Sequence, residues 1–423
     1  MHFVVNMANE KITRLLVEQN PSWKAPFQIG YKDRSVYPSI KRLLKEPQII
    51  SLCGLRRVGK TTIMKKLMEE LLRENAPDSM LYFSFDDFAQ TELFPVLDAF
   101  KELHGKEPKF LFFDEIQKVP NWAEKVKLLY DSGKYKMVIS GSESLFLRKG
   151  SRESLAGRIY EFEIKGLSFR EYLGFAGMLH MAKKPALYSV ELRAELGKYI
   201  LCGGFPELIG KQDTSLASLH VKSSIIEKII FVDLPRIYPI ENPSQLLSIF
   251  EIVSENPGMI IDFTSLSQEL GISRQTLSKY FECLESAHLV VKLYNFSKNR
   301  ITSEKKLRKF YPSFPPAMLW GGSDKARLGK LMETVCVLCS GAKFFWRDEH
   351  KNEVDIVLTD GGRLTPIEVK YQVSPRESSG LAQFCRKYKC RHALVVTEDT
   401  RGKKADFADV TYVPICEFLL QLG

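Results

Sequence analysis

The chain has 423 residues, of which 44% are hydrophobic and 26% charged, and 61 Lys and Arg against 51 Asp and Glu leave a formal charge of +10. This is ordinary globular composition spread over several domains' worth of chain, which excludes a wholly disordered, collagenous or coiled-coil protein. No apolar run approaches the roughly 20 residues of a membrane span, and Met1-His2-Phe3-Val4-Val5-Asn6 is too short and polar for a secretory signal, so a cytoplasmic protein with no membrane partner is expected.

Residues 1–40 hold Trp23, Tyr31 and Tyr37 but no motif, and are expected to pack on the domain that follows. That domain, over 41–238, opens with a short apolar run, Pro47 to Cys53, and then Gly54-Leu55-Arg56-Arg57-Val58-Gly59-Lys60-Thr61-Thr62, which reads G-x-x-x-x-G-K-T. Ile63, Met64, Leu67, Leu71 and Leu72 recur behind it at helical spacing, giving the strand, loop, helix context of a phosphate site. Gly54 and Gly59 let the backbone fold around phosphate oxygens, with Arg57, Val58 and Thr62 completing the loop. Lys60 supplies a mobile cation for the β and γ phosphates of ATP, and Thr61 a hydroxyl for Mg²⁺.

A second apolar run, Lys109 to Phe113, ends in Asp114-Glu115, which places Asp114 as a Mg²⁺ ligand and Glu115 as the base for an attacking water. Further strands are predicted over 80–85, 135–140 and 159–164, separated by helical segments, so an α/β domain with a parallel sheet between helices follows. Ser140 leaves its strand as a candidate γ-phosphate sensor, and Arg158 is a candidate phosphate contact in its own subunit or a neighbour's.

Those segments, together with Ile116-Gln117-Lys118-Val119-Pro120-Asn121-Trp122, Leu155-Ala156-Gly157-Arg158, Leu167-Ser168-Phe169-Arg170-Glu171-Tyr172 and Gly203-Gly204-Phe205-Pro206-Glu207, resemble the prokaryotic AAA-type ATPases with a DUF4143-like C-terminal region. The resemblance implies a P-loop sheet of the additional-strand catalytic-Glu type, with its two nucleotide motifs on neighbouring strands and Glu115 activating water.

The Gly203 to Glu207 stretch reads as a sharp turn closing an ATPase lid. Over 239–312 a helix is followed by Asp262 to Leu277, a helix-turn-helix pattern in which Gly271 ends one helix and Ser273 caps the next, with later strands forming a wing. Arg274, Gln275, Ser278 and Lys279 face outward on the candidate recognition helix and point to DNA. Between Val291 and Tyr311 lie Lys292, Lys298, Arg300, Lys305, Lys306, Arg308 and Lys309 against the single acid Glu304, a basic wing in which Lys298 and Arg300 are further DNA candidates.

Residues 313–423 are predicted as an α/β restriction-endonuclease-like domain. Asp355 on one strand, Glu368-x-Lys370 on the next and Glu333 on a preceding helix resemble the PD-(D/E)xK nuclease core, with Val354 where that motif has Pro. Asp355, Glu368 and Glu333 would hold Mg²⁺ or Mn²⁺, and Lys370 would position water. Eight scattered cysteines read as reduced thiols rather than a disulfide framework or a cluster of Cys336, Cys339, Cys385 and Cys390. The reading is an ATP-hydrolysing, DNA-binding protein with a nuclease-like domain, acting in DNA processing, repair or defence. Its alternative is a nucleotide-switched ATPase whose C-terminal domain docks a protein partner and cuts nothing. Assembly of several copies, with Arg158 acting across subunits, is the third.

Overall fold

A computed structural model of the chain describes residues 2–86, 92–141, 154–211, 213–299, 307–320, 325–371, 379–405 and 407–422. They form two compact units, Met1–Lys165 and Gly166–Gly423.

In the first unit, strands β1 (Ile49–Cys53), β2 (Met80–Ser84), β3 (Phe110–Asp114), β4 (Lys136–Ser140) and β5 (Ile159–Glu163) build one parallel sheet in the order β2-β3-β4-β1-β5. Every residue of β1 and of β3 is buried, which is why these strands are continuous apolar runs rather than alternating ones. β4 lies between the two strands that carry the nucleotide motifs. The implied pairing of those motifs on neighbouring strands is therefore incorrect. Register brings Ile50 beside Val138 and Phe112 beside the same Val138, so the intervening strand sets the spacing of the site.

Helices α1 (His2–Gln19), α2 (Tyr37–Arg42), α3 (Lys60–Leu71), α4 (Leu93–His104) and α5 (Trp122–Asp131) accompany this sheet. Leu93, Val96, Ala99 and Phe100 are the buried stripe of α4, and Leu16 of α1 joins the same core. The end of α1 has a second task, because β2 is an edge strand with unpaired backbone groups. Asn20 Nδ2 donates to Tyr82 O (2.8 Å) while Asn20 Oδ1 accepts from Tyr82 N (2.9 Å). Gln19 Oε1 accepts from Ser84 N (2.8 Å), and Trp23 Nε1 donates to Met80 O (3.0 Å). Three side chains of the N-terminal segment thus act as a surrogate neighbouring strand.

The second unit begins with α6 (Phe169–Phe175), started by a capping box between Ser168 and Glu171, and α7 (Ser189–Cys202). Gly203 and Gly204, both at positive φ, turn the chain so that Gly204 O accepts from Leu167 N (2.8 Å), while Tyr199 OH donates to Leu167 O (2.8 Å). After α8 (Thr214–Val221), a π-helical run over Lys222–Asp233 leads to α9 (Pro243–Glu255), β6 (Met259–Ile260), α10 (Phe263–Glu269), α11 (Arg274–Ser286), β7 (Val290–Asn295) and β8 (Arg308–Pro312). Then come α12 (Lys325–Ser340), β9 (Phe344–Arg347), β10 (Glu353–Asp360), β11 (Arg363–Lys370), α13 (Ser379–Tyr388), β12 (His392–Thr397), β13 (Gly402–Ala405), β14 (Asp409–Pro414) and α14 (Ile415–Leu422).

One nine-stranded sheet, β13-β14-β12-β11-β10-β9-β7-β8-β6, spans this unit. It crosses the division expected at 312/313, through parallel pairing of Tyr294 with Phe344 in β7 and β9. Asn295 seals that junction by exchanging two hydrogen bonds with the Arg347 backbone (2.9 and 3.0 Å). Residues 166–238, expected within an ATPase domain with lid over 41–238, belong to the second unit.

Asn20 offers the sharpest test of the first unit. Asn20→Ala leaves a buried donor and a buried acceptor on Tyr82 unpaired, each expected to cost about 1–3 kcal/mol. Urea unfolding of wild type and variant checks this, and a change below about 0.5 kcal/mol contradicts the surrogate-strand role.

Candidate functional site

The loop after β1 owes its shape to two glycines. A Cβ on Gly54, whose φ is +136°, would sit 2.3 Å from Ile164 O, and Gly59 starts α3 from the left-handed region. Val58 is buried, whereas Arg57 and Thr62 are exposed. Lys60 folds back so that its Nζ donates to Gly54 O (2.8 Å) and Leu55 O (3.0 Å). Burial pushes the Lys60 pKa down, opposed by the facing Glu115 and Asp114.

The structure brings Thr61, Asp114 and Ser140 together from three elements. Thr61 Oγ1 at the start of α3 donates to Asp114 Oδ2 (2.6 Å), Tyr82 OH donates to the same oxygen (3.1 Å), and Ser140 Oγ donates to Asp114 Oδ1. Ser140 also accepts from Glu115 N (3.4 Å). Ser140 is buried, with its hydroxyl held against Asp114. Glu115 has φ +53°, and its Oε2 accepts from Gln117 Nε2 (2.6 Å), which aims the carboxylate. A hydroxyl and a carboxylate already in contact form a donor set suited to Mg²⁺, and the loop amides and Lys60 suit phosphates, so these residues fit Mg²⁺ and ATP.

Arg158 departs from its expected role within the chain. Its backbone carbonyl accepts from Ile49 N, so it precedes β5 at the edge of the sheet opposite the phosphate loop, about 16 Å away at 3.3 Å per strand residue. There it pairs with Asp131 (Nε to Oδ1, 2.9 Å). It does not reach the phosphates of its own subunit.

Arg34 is a site residue that the sequence does not mark. Buried beneath the loop, it donates to Val58 O (2.8 Å) and Lys165 O (2.7 Å), clamping the phosphate loop to the strand end beyond β5. A lone Arg in a segment without a motif carries no signal of this.

In the second unit, Glu333 of α12, Asp355 of β10 and Glu368 and Lys370 of β11 gather at one place, with four residues not anticipated there, Lys309, Tyr311, Arg347 and Glu353. Lys309, expected on the exposed basic wing, is 3% exposed, and its Nζ lies 2.7 Å from Glu353 Oε1, 3.0 Å from Glu333 Oε1 and 3.8 Å from Asp355 Oδ1. Tyr311 OH donates to Glu333 Oε1 (2.6 Å), Arg347 meets Glu353 Oε2 (3.3 Å), and Val369 N donates to Asp355 Oδ2 (2.8 Å). Lys370 pairs with Glu368 Oε1 (2.7 Å), leaving Glu368 Oε2 buried without a hydrogen-bond partner. Burial and the neighbouring Glu333 and Glu368 hold Asp355 well above the usual carboxylate range, and burial raises Glu368 against the pull of Lys370. Burial opposes the charge of Lys309, but Tyr311 and the three acids outweigh it. Strand alternation contained the missing signal: Lys309 and Tyr311 share one face of β8, and Glu353 and Asp355 one face of β10.

Among the described residues, no three His, Cys, Asp or Glu side chains are arranged to hold a metal ion. With Lys309 Nζ within 4 Å of Glu353, Glu333 and Asp355, the acids of the cluster as they stand do not fit the expected Mg²⁺ or Mn²⁺, and the eight cysteines are all free. Arg274, Gln275 and Lys279 are exposed and Ser278 half-buried on α11, opposite the buried Leu277, Tyr280 and Leu284, and Lys298 is exposed. Arg300, Lys305 and Lys306 lie outside the described residues. Of the basic residues expected on a wing, Lys292 pairs with Glu285 (2.6 Å) and Lys309 is interior.

Gly54→Ala is expected to force the loop away from Ile164, costing about 1–3 kcal/mol or more and removing nucleotide binding, as read by thermal melts with and without ATP. Unchanged ATP-induced stabilisation contradicts this packing.

Residues 46–173 match the family model of an AAA domain, residues 193–312 a domain of unknown function (DUF8612), and residues 328–418 another (DUF4143). Two uncharacterized proteins of Methanocaldococcus jannaschii are similar. One is 30% identical over 291 residues, 66% of this chain and 64% of that one; the other is 26% identical over 413 residues, 88% and 85%. The chain spans under two thirds of the first relative's length. An S. cerevisiae Hsp104–ADP complex (18% identical, 65% of this chain and 41% of that one, TM-score 0.32) and the Aeropyrum pernix ORC1 protein in complex with DNA (12% identical, 74% and 96%, TM-score 0.32) resemble it too distantly to carry an argument. No described helix is long and apolar enough to cross a membrane. The region of the five-stranded parallel sheet is thus similar to AAA domains, and residues 328–418 are similar to the DUF4143 family.

Proposed function

We propose that the protein hydrolyses ATP with Mg²⁺ and that this activity governs its hold on DNA. The observation that carries the ATPase reading is the 2.6 Å contact of Thr61 with Asp114, made across the loop that ends in Lys60. In this reading Thr61 and Asp114 hold Mg²⁺, which supplies charge neutralisation for the phosphates when bound. The loop amides and Lys60 bind the β and γ phosphates. Glu115, aimed by Gln117, takes the proton of the attacking water.

Glu115→Gln is then expected to lower turnover about 10²–10⁴-fold while nucleotide binding survives, and Lys60→Ala to lose binding itself. Steady-state hydrolysis beside equilibrium binding checks both, and a Glu115→Gln protein with wild-type turnover refutes the base assignment. Arg158, which faces away from its own site, fits a role only toward a neighbouring copy. In that case Arg158→Ala costs roughly 10³-fold in turnover at concentrations where copies assemble.

The helix-strand-helix-helix-strand-strand order from α9 to β8 is the basis for reading a winged helix, with Arg274, Gln275, Ser278 and Lys279 on its outward face. Arg274→Ala with Lys279→Ala is expected to weaken DNA binding and to make its salt dependence shallower, by about one unit of slope for each phosphate no longer neutralised. Fluorescence anisotropy across a salt series measures this, and an unchanged slope removes α11 from the interface.

For the C-terminal region the reading is a non-cleaving platform that docks DNA or a protein. A nuclease would need Asp355, Glu368 and Glu333 around a divalent ion and Lys370 beside its water, but Lys309 stands among those acids.

A further inference from the structure

Lys309 is one of the most deeply buried cations of the chain, and its surroundings explain how it is tolerated. A buried ammonium is stable only when acceptors replace its water. Here Glu353 and Glu333 provide oxygens at 2.7 and 3.0 Å and Asp355 one at 3.8 Å, with the Phe345 ring 5.4 Å away on another side. These acceptors come from α12 and β10, whereas the lysine comes from β8, so the cation arrives from a segment remote in sequence.

A divalent ion would require the same oxygens. Both oxygens of Glu353 are engaged, by Lys309 and Arg347; Glu333 Oε1 serves Lys309 and Tyr311; Asp355 Oδ2 takes the Val369 amide; and Glu368 Oε1 takes Lys370. Glu368 Oε2 is buried with no hydrogen-bond partner, and Asp355 Oδ1 and the second oxygen of Glu333 remain beside it, but with Lys309 Nζ 3.0 Å from Glu333 and 3.8 Å from Asp355 Oδ1 the space these oxygens face already holds a cation. An ammonium already within 4 Å of three of the acids also repels any second cation there.

We propose that the Lys309 ammonium is the resident cation of this acidic cluster, occupying the position where a divalent metal would otherwise sit and tying β8 to α12 and β10. The cluster is a cation site closed from within. Removing the charge while keeping the bulk of the chain reopens it, so Lys309→Met gains affinity for a divalent ion that the native chain lacks. This inference is independent of the ATPase reading.

The test is titration of the nucleotide-free full chain with Mn²⁺, following the free ion by electron paramagnetic resonance. Wild type is expected to show no uptake that Asp355→Asn removes. Lys309→Met, with a cooperative melt confirming its fold, is expected to take up a single Mn²⁺ that is lost when Asp355→Asn is added. Uptake by wild type that Asp355→Asn abolishes overturns the proposal, as does a folded Lys309→Met with no uptake at the cluster. Should Lys309→Met not fold, the comparison of wild type with Asp355→Asn decides alone. Equal uptake by the two bears the proposal out.

Discussion

The first unit is organised around one buried carboxylate. Asp114 is 3% exposed, and a carboxylate so placed persists only if its oxygens are hydrogen-bonded. Its donors come from three elements: Thr61 from α3, Tyr82 from β2 and Ser140 from β4. The need to satisfy Asp114 therefore fixes the ends of three strands and the start of a helix relative to one another. That frame presents Thr61, Lys60 and Glu115 along one sheet edge. The surrogate strand formed by Gln19, Asn20 and Trp23 protects β2, which in turn delivers Tyr82.

The second unit repeats this logic with the charges reversed. Lys309 is buried among acids, and its partners lie on elements that the sequence separates by up to 46 residues, from Lys309 to Asp355. The same elements belong to, or pack on, one continuous sheet. A strand whose lysine is locked inside the core beside it cannot also offer that lysine to a phosphate backbone. The exposed face of α11 therefore carries more of the proposed DNA contact than the wing does.

Local patterns make much of the first unit legible in the sequence. The phosphate loop, the apolar runs of β1 and β3 and the capping of α11 by Ser273 depend on near neighbours, and single-chain reasoning reads near neighbours well. Strand order is not legible, because nothing in the runs of β1 and β3 states that β4 enters between them. The position of Arg158 at the far sheet edge and of Arg34 under the loop are likewise products of topology. Lys309 escapes the sequence reading for a different reason: a count of basic residues assigns charge to the surface, whereas the alternation of Arg308-Lys309-Phe310-Tyr311 already places Lys309 and Tyr311 on a common side.

In the proposed function, Asp114 and Thr61 make nucleotide binding depend on Mg²⁺. Asp114→Asn keeps the shape and most hydrogen bonds but removes the charge, so affinity for a fluorescent ATP analogue should be measured for both proteins with and without Mg²⁺. Wild type is expected to bind more tightly with Mg²⁺, and Asp114→Asn to bind equally in both conditions. An Asp114→Asn protein that keeps the full Mg²⁺-dependent gain contradicts it.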